Sequence, residues 1–420
     1  MRSSRSRGSW SELAFYGAIG AAFGVASGLA VYALLSSTRK TTSPATSGFP
    51  LRMRPASFAV RSPVQVHPGP SPATPTTPAG QLRGTNLTGG ESPWSSWPAT
   101  GPVDGQNYQF VGTRDIDYLL SKGCNFFRLL FTWEAVQPQP MSAIPSSQGV
   151  YATYWQRFKA VVDYATSKGA TVLIDVHGGD DSTFAAYRGV KVGGSYGGYA
   201  VSDMLADLWG KLAAIFKGNS RVLFGATNEP SNLPTMTWFS CAQKIVNAIR
   251  AAGAGNPIVM PGAYYDGAGS WTTGWGDQTN AYGWENANGV GRALVDPLQN
   301  TWVQVHLYFD PDAGGTTTDI QSTTIASERL ADVTTWARSR GLKVLVGEVG
   351  LSAGNPLAAS AWSNLMSYIS ANADVVRGFA WWTYGVPSWW GQYPFTLSPN
   401  ASYTKDSAQM TLIAPSLCVR

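Results

Sequence analysis

From about Gln81 to the C-terminus, short apolar runs rich in branched and aromatic residues alternate with longer stretches of helical period. The runs are LRGTNLTG (82–89), NFFRLLF (125–131), ATVLIDVH (170–177), RVLFGATNE (221–229), PIVMPGAY (257–264), WVQVHLYF (302–309), KVLVGE (343–348) and RGFAWWT (377–383). Their length and their β-branched and aromatic content predict strands. Between them lie amphipathic helices such as YWQRFKAVVDYATSKG (154–169) and ERLADVTTWARSRG (328–341), each stopping near a glycine. Strands that are apolar on both faces and separated by helices belong to a parallel sheet covered on its outside. Eight such units within 81–420 predict an α/β fold of the closed (β/α)8 TIM barrel type rather than an open sheet.

The first eighty residues follow a different pattern. Residues 14–35 read AFYGAIGAAFGVASGLAVYALL without a charge, long enough at about 1.5 Å per residue to cross a bilayer. The run exceeds the usual core of an export signal and no clear small-x-small cleavage site follows, so an uncleaved signal anchor is expected over a cleaved leader. Either reading predicts export, and an extracytoplasmic barrel follows if its substrate is a polysaccharide. Gly20, Gly24 and Gly28 share one face of that helix, which allows close approach of a second copy and a weak dimer. Thr41 to Gly80 is rich in Pro, Ser and Thr and reads as an extended spacer. The expected organisation is a basic segment (1–13), a transmembrane anchor (14–36), a linker (37–80) and a catalytic barrel (81–420).

Charge and composition narrow the ligand class. The net charge of +5 comes largely from Arg2, Arg5, Arg7, Arg39, Lys40, Arg52 and Arg54, which face only Glu12 in the first sixty residues. The barrel is close to neutral, so nucleic acid is not an expected partner. Only 13% of residues are charged, against 17 Trp, 18 Tyr and 16 Phe, a balance that suits sugars. Cys124, Cys241 and Cys418 have no metal-ligand spacing; they allow one disulfide and require none. Metal motifs, phosphate loops and dinucleotide fingerprints are lacking, so no cofactor is expected.

Barrel active sites lie at the carboxyl ends of the strands. Those ends carry Arg128, His177, Asn228 with Glu229, His306 with Tyr308, Glu348, and Trp381 with Trp382. Two glutamates on the fourth and seventh strands, ringed by these partners, suit glycoside hydrolysis. That reaction needs one carboxyl to protonate the leaving oxygen and a second to attack or to activate water. The two must differ in proton affinity. Arg128 and Tyr308 are placed to keep Glu348 ionised, and a less polar setting would keep Glu229 protonated.

The ordered set R128, H177, N228-E229-P230, H306-L-Y308, G347-E348 and W382 resembles glycoside hydrolase family 5, and its cellulases in particular. LRGTNL (82–87), VHLYFDPDAGGT (305–316), VGEVG (346–350) and GFAWWTYGVPSWWGQY (378–393) are similar to cellulase segments. The resemblance implies a retaining double displacement on a β-1,4-glucan, with Glu348 as nucleophile and Glu229 as acid/base. It also implies that Asn228 binds the sugar 2-hydroxyl, Arg128 and Tyr308 orient Glu348, His306 supports Glu229, His177 contacts a hydroxyl, and Trp382 lies under the ring.

The alternatives are the same mechanism on β-mannan, xylan or β-1,3-glucan, and a non-catalytic tethered sugar-binding protein. Gly178-Gly179-Asp180 departs from the Asn-aromatic pair often seen after such a histidine. Residues 187–200 suit a cleft-wall loop. Among Trp271, Trp275, Trp284, Trp389 and Trp390, one or two are expected at outer sugar positions. Glu91 and Glu134 are candidates for the cleft wall, and Asp310 with Asp312 for a cation-binding turn, although a solvated loop explains each. Asn86-Leu87-Thr88 matches a glycosylation acceptor inside a strand end.

Overall fold

The computed structural model describes residues 80–177, 185–274 and 276–418. The expected anchor, its glycine face, the linker up to residue 79, Gly178-Gly179-Asp180 and Trp275 lie outside the described residues.

Eight parallel strands close into a barrel: β1 (Leu82–Leu87), β2 (Phe126–Phe131), β3 (Thr171–Val176), β4 (Val222–Gly225), β5 (Ile258–Met260), β6 (Thr301–Tyr308), β7 (Val344–Gly350) and β8 (Val376–Tyr384). Each pairs with its sequence neighbours and β8 closes onto β1. The helices are α1 (Thr113–Ser121), α2 (Val150–Ser167), α3 (Val201–Phe216), α4 (Thr235–Ala251), α5 (Asn280–Glu285), α6 (Ile325–Ser339), α7 (Ala358–Ala371) and α8 (Ala408–Leu417). All eight predicted strands are present, and the predicted helices overlap α2 and α6. Among the described residues no helix is long and apolar enough to cross a membrane.

Because successive strand residues point to opposite faces, inward positions recur every second residue. Leu82, Phe126, Leu173, Leu223, Val259, Trp302, Leu345 and Ala380 form a buried cluster with one member from each strand. This apolar layer plugs the barrel, and outward residues build a second core beneath the helices. Two residues further toward the carboxyl ends the inward side chains turn polar: Arg128 follows Phe126, Asp175 follows Leu173 and Gln304 follows Trp302. Glycines opposite make room for them. A Cβ on Gly225 would stand 2.2 Å from Asp175 Oδ2, and one on Gly347 would stand 2.7 Å from Gln304 Cδ.

Tryptophans 271 and 284 correct the expectation of sugar-binding loops: they are 0% and 4% exposed and pack with Trp336 on α6. The segment after β5 is folded against that helix, so their apolar area goes into the outer core. Trp389, in contrast, is 41% exposed in a short helical turn after β8. Asp310 is buried and accepts three backbone N–H groups, from Gly315, Thr316 and Thr317, so its carboxylate shapes the turn rather than awaiting a cation. Cys124 and Cys241 are buried free thiols and Cys418 is an exposed one.

Candidate active site

The polar layer above the plug is organised by Arg128, which is entirely buried. Its Nη1 donates to Glu348 Oε1 at 2.7 Å and to Asn86 Oδ1 at 2.9 Å, its Nη2 to Asn228 Oδ1 at 2.6 Å, and its Nε to Asp175 Oδ2 at 3.2 Å. Burial works against the guanidinium charge, but Asp175 and Glu348 more than restore it, and the group stays protonated. From β2, one planar cation thus fixes groups on β1, β3 and β7 and in the loop after β4.

Glu348 is 3% exposed. Its second oxygen, Oε2, accepts the Tyr308 hydroxyl at 2.6 Å. His177 Nε2 lies 3.7 Å from Oε1. Burial alone would raise this carboxyl, but the neighbouring His306, His177 and Arg128 outweigh it and hold the group well below the usual carboxylate range. Tyr308 moves the other way: burial and the adjacent Glu348 push its hydroxyl far above the ordinary tyrosine value, so it remains a neutral donor.

Glu229 is held differently. It follows β4 in the left-handed region at φ 34°, a conformation costing about 1–3 kcal/mol that persists where surrounding contacts impose it. The preceding Asn228 N–H is tied to the Val176 carbonyl at 2.7 Å, which fixes the turn. Glu229 Oε1 lies 2.6 Å from His306 Nδ1, and no guanidinium or tyrosine hydroxyl is hydrogen-bonded to it among the described residues. An oxygen of Glu229, an oxygen of Glu348 and a ring nitrogen of His306 lie within 4.8 Å of one another. The same three are the group among the described residues close enough to share a metal ion.

The two glutamates are therefore near neighbours with different partners, one clamped as an anion and one paired with an imidazole. That separation fits direct attack on a sugar carbon between them; an intervening water would need about 6.5–9.5 Å. A family model described as Cellulase (glycosyl hydrolase family 5) matches residues 79–385. The chain belongs to glycosyl hydrolase family 5. It is 30% identical to the probable endo-beta-1,4-glucanase B of Neosartorya fischeri, with 76% of this chain and 86% of the relative covered. It is likewise 30% identical to endo-beta-1,4-glucanase A of Emericella nidulans, covering 76% and 87%. Among solved structures, XacCel5A in complex with cellopentaose superposes with a TM-score of 0.71 at 31% identity, covering 80% of this chain and 98% of that one.

In this family 5 chain eight of the nine strand-end residues named from the sequence converge on one mouth; Trp381 is instead buried against Trp362 of α7. Trp382 on β8 is partly exposed and stacks on His177 with ring centroids 5.4 Å apart, so one face of the indole is backed by the histidine. Glu134 is buried, and its Oε1 accepts the Arg188 N–H; it braces the 187–200 segment, which forms two short hairpins. Glu91 curls back onto the Gly89 N–H, and burial raises its carboxyl against the opposing influence of His177.

Sequence reading missed Asn86, Asp175, Gln304 and Asp266. Asn86 is no glycan acceptor: it is fully buried, accepts from Arg128 and donates to the Gly347 carbonyl at 3.0 Å. The signal that would have found Asn86, Asp175 and Gln304 is a polar residue at an inward position of an otherwise apolar strand. Asp266 lies beyond β5, where strand alternation no longer applies.

Proposed function

We propose that this family 5 chain is an endo-β-1,4-glucanase that cleaves internal β-1,4-glucosidic bonds of cellulose or related β-glucans with retention of anomeric configuration. The observation that carries it is the pairing of Glu229 and Glu348 within 4.8 Å, with contrasting partners. In the first step Glu348, kept ionised by Arg128 and Tyr308, attacks the anomeric carbon and forms a glycosyl ester. Glu229 gives its proton to the departing oxygen. In the second step Glu229 takes a proton from water, which displaces Glu348 and returns it as a carboxylate.

Asn228 has its carbonyl oxygen committed to Arg128, which leaves its amide N–H as the donor toward the 2-hydroxyl beside the nucleophile. Trp382 offers an apolar face to the ring, and His177 backs that indole from the other side. The curated relatives' names and the cellopentaose bound by XacCel5A favour glucan over mannan, xylan or β-1,3-glucan. Proton NMR of the full chain with cello-, manno- and laminari-oligosaccharides tests this reading. Rapid release of β-anomers from the cello series alone is expected; an α-anomer as first product would overturn retention, and preference for another series would overturn the substrate.

The same reading places the enzyme outside the cytoplasm. Support comes from the uncharged run 14–35 and the Pro-, Ser- and Thr-rich stretch after it, which suit an uncleaved signal anchor and a spacer. Gly20, Gly24 and Gly28 would allow weak pairing of two anchors. Retention of the full-length chain in membranes after carbonate extraction is expected, and recovery in the soluble fraction would contradict it.

A further inference from the structure

The turn between α1 and β2 contains a glycine that both the local backbone and a distant segment require. Gly123 follows the last turn of α1 at φ 97°. Its N–H returns to the Leu120 carbonyl at 3.0 Å, and that of Cys124 to the Leu119 carbonyl at 3.1 Å. A left-handed residue stops a helix in this way, and glycine adopts it without strain. Space is the second requirement. A Cβ on Gly123 would stand 2.7 Å from Cys418 Sγ and 3.1 Å from the Cys418 backbone nitrogen. The sulfur that follows α8 therefore rests against the residue preceding Cys124.

Cys418 is held there by its surroundings. Met410, Ile413 and Leu417 on α8 are completely buried. The Ser416 carbonyl accepts Arg83 Nη1 at 2.7 Å, and the Ser416 hydroxyl accepts Trp362 Nε1 at 3.1 Å. Asp406, just before α8, accepts Lys122 Nζ at 2.6 Å and the Tyr118 hydroxyl at 2.9 Å. Groups on β1, on α7 and at the end of α1 thus fix both ends of α8, and tertiary packing brings together two cysteines that are far apart in sequence. Cys124 is 3% exposed, Cys418 is open to solvent, and both are free thiols. Cys241 is elsewhere, on α4 against the Ser202 carbonyl at 3.9 Å.

We propose that Cys124 and Cys418 are a cross-linking pair, which a disulfide-bearing oxidant such as glutathione disulfide closes into an intramolecular bond tying the end of α8 to the start of β2. The Cys418 thiolate attacks one sulfur of the oxidant and forms a mixed disulfide, releasing the other sulfur as a thiol. The Cys124 thiolate then attacks Cys418 Sγ and expels the second thiol of the oxidant. Two protein thiols become one S–S bond while one oxidant disulfide becomes two thiols, so electrons and protons balance. Burial and the neighbouring Cys418 push the Cys124 thiol up to about 12, which makes the second exchange the slow one. The extracytoplasmic setting proposed above is one in which such bonds form and persist. Both cysteines lie at the amino end of β2, opposite the cleft, and neither takes part in the chemistry of the glutamates.

The test treats the full-length protein with glutathione disulfide or with dithiothreitol, then alkylates the unfolded chain, maps its peptides without reduction and measures thermal unfolding of each form. A Cys124–Cys418 peptide pair with Cys241 alkylated is the expected map. The oxidised form should unfold roughly 5 °C higher than the reduced one, because the bond restrains a very long loop of the unfolded chain. That gain should vanish in Cys124→Ser and Cys418→Ser and persist in Cys241→Ser. Cys418→Ser changes an exposed side chain and decides the matter even if Cys124→Ser fails to fold. Three alkylated cysteines after oxidation, a lasting glutathione adduct on Cys418 beside an alkylated Cys124, or a bridge to Cys241 would each overturn the proposal. So would a gain in Tm that survives Cys418→Ser, or a Cys124–Cys418 bridge whose Tm equals that of the reduced form.

Discussion

Replacing Arg128 by methionine removes the fork that joins Glu348, Asn86, Asn228 and Asp175 without changing side-chain length much. It takes away two hydrogen bonds to carboxylates and two to amide oxygens. It also strands Asp175, whose carboxyl is already raised by burial against the counteracting Arg128. Breaking a buried ion pair from one side costs about 3–5 kcal/mol, chiefly because the surviving charge has no partner. For a chain this long that corresponds to a drop in Tm of roughly 5–10 °C. The kinetic effect is expected to be larger in kind. Glu348 loses one of the groups that keep it ionised, so the acidic limb of kcat/KM moves to higher pH, and a misplaced nucleophile lowers kcat/KM by about a thousandfold, equivalent to about 4 kcal/mol. Arg128→Lys keeps the charge but not the planar geometry and should fall between wild type and Arg128→Met. The assays are thermal unfolding and a pH profile on cellopentaose. A Tm within about 2 °C of wild type, with the acidic limb unmoved, would refute the view that Arg128 organises this layer.

Three further outcomes follow from the same geometry. Glu348→Gln is expected to abolish turnover while leaving cello-oligosaccharide binding by calorimetry largely intact; wild-type rates would remove the nucleophile assignment. Trp382→Ala should lower kcat/KM by more than tenfold, or about 1.4 kcal/mol, with little change in Tm, because the indole is partly exposed and its platform role is in the cleft; unchanged kinetics would refute that role. Away from the site, Arg250 holds Asp296 through bonds of 2.8 and 2.7 Å. Burial tends to raise Asp296, but the bonds and charge of Arg250 outweigh it, and the folded carboxyl sits below its usual value. The stability it contributes is present above the unfolded aspartate range of about 3.9 and is lost as pH falls through the depressed folded value. Arg250→Met should therefore destabilise by about 3 kcal/mol at pH 7 and by less as the pH drops below 4; a loss independent of pH would contradict this.

The barrel was legible because most strands are short runs dominated by apolar residues, and several of these runs stop at a polar residue. β6 illustrates it: Trp302, Gln304, His306 and Tyr308 share one face, so a period of two carries the chain from plug to polar layer to cleft. The glutamates and their partners could be read because they stand at strand ends. What could not be read lies where periodicity stops or where register shifts. A bulge between Val305 and His306 changes the pairing with β7 from Val346 to Glu348, and no feature of either strand alone announces it. Asp266 is brought to His306 by three left-handed residues that no propensity favours. Trp271 and Trp284 looked like loop residues because the segment after β5 has only a six-residue helix, yet tertiary packing against Trp336 buries them.

In the proposed reaction Glu348 attacks the sugar while Glu229 handles the proton. The most direct measurement is peptide mapping by mass spectrometry after incubating the full chain with 2,4-dinitrophenyl 2-deoxy-2-fluoro-β-cellobioside, whose fluorine slows breakdown of a glycosyl ester. A single 2-fluorocellobiosyl adduct on the peptide containing Glu348 is the predicted result. An adduct on Glu229 or elsewhere, or turnover without any covalent species, would contradict it.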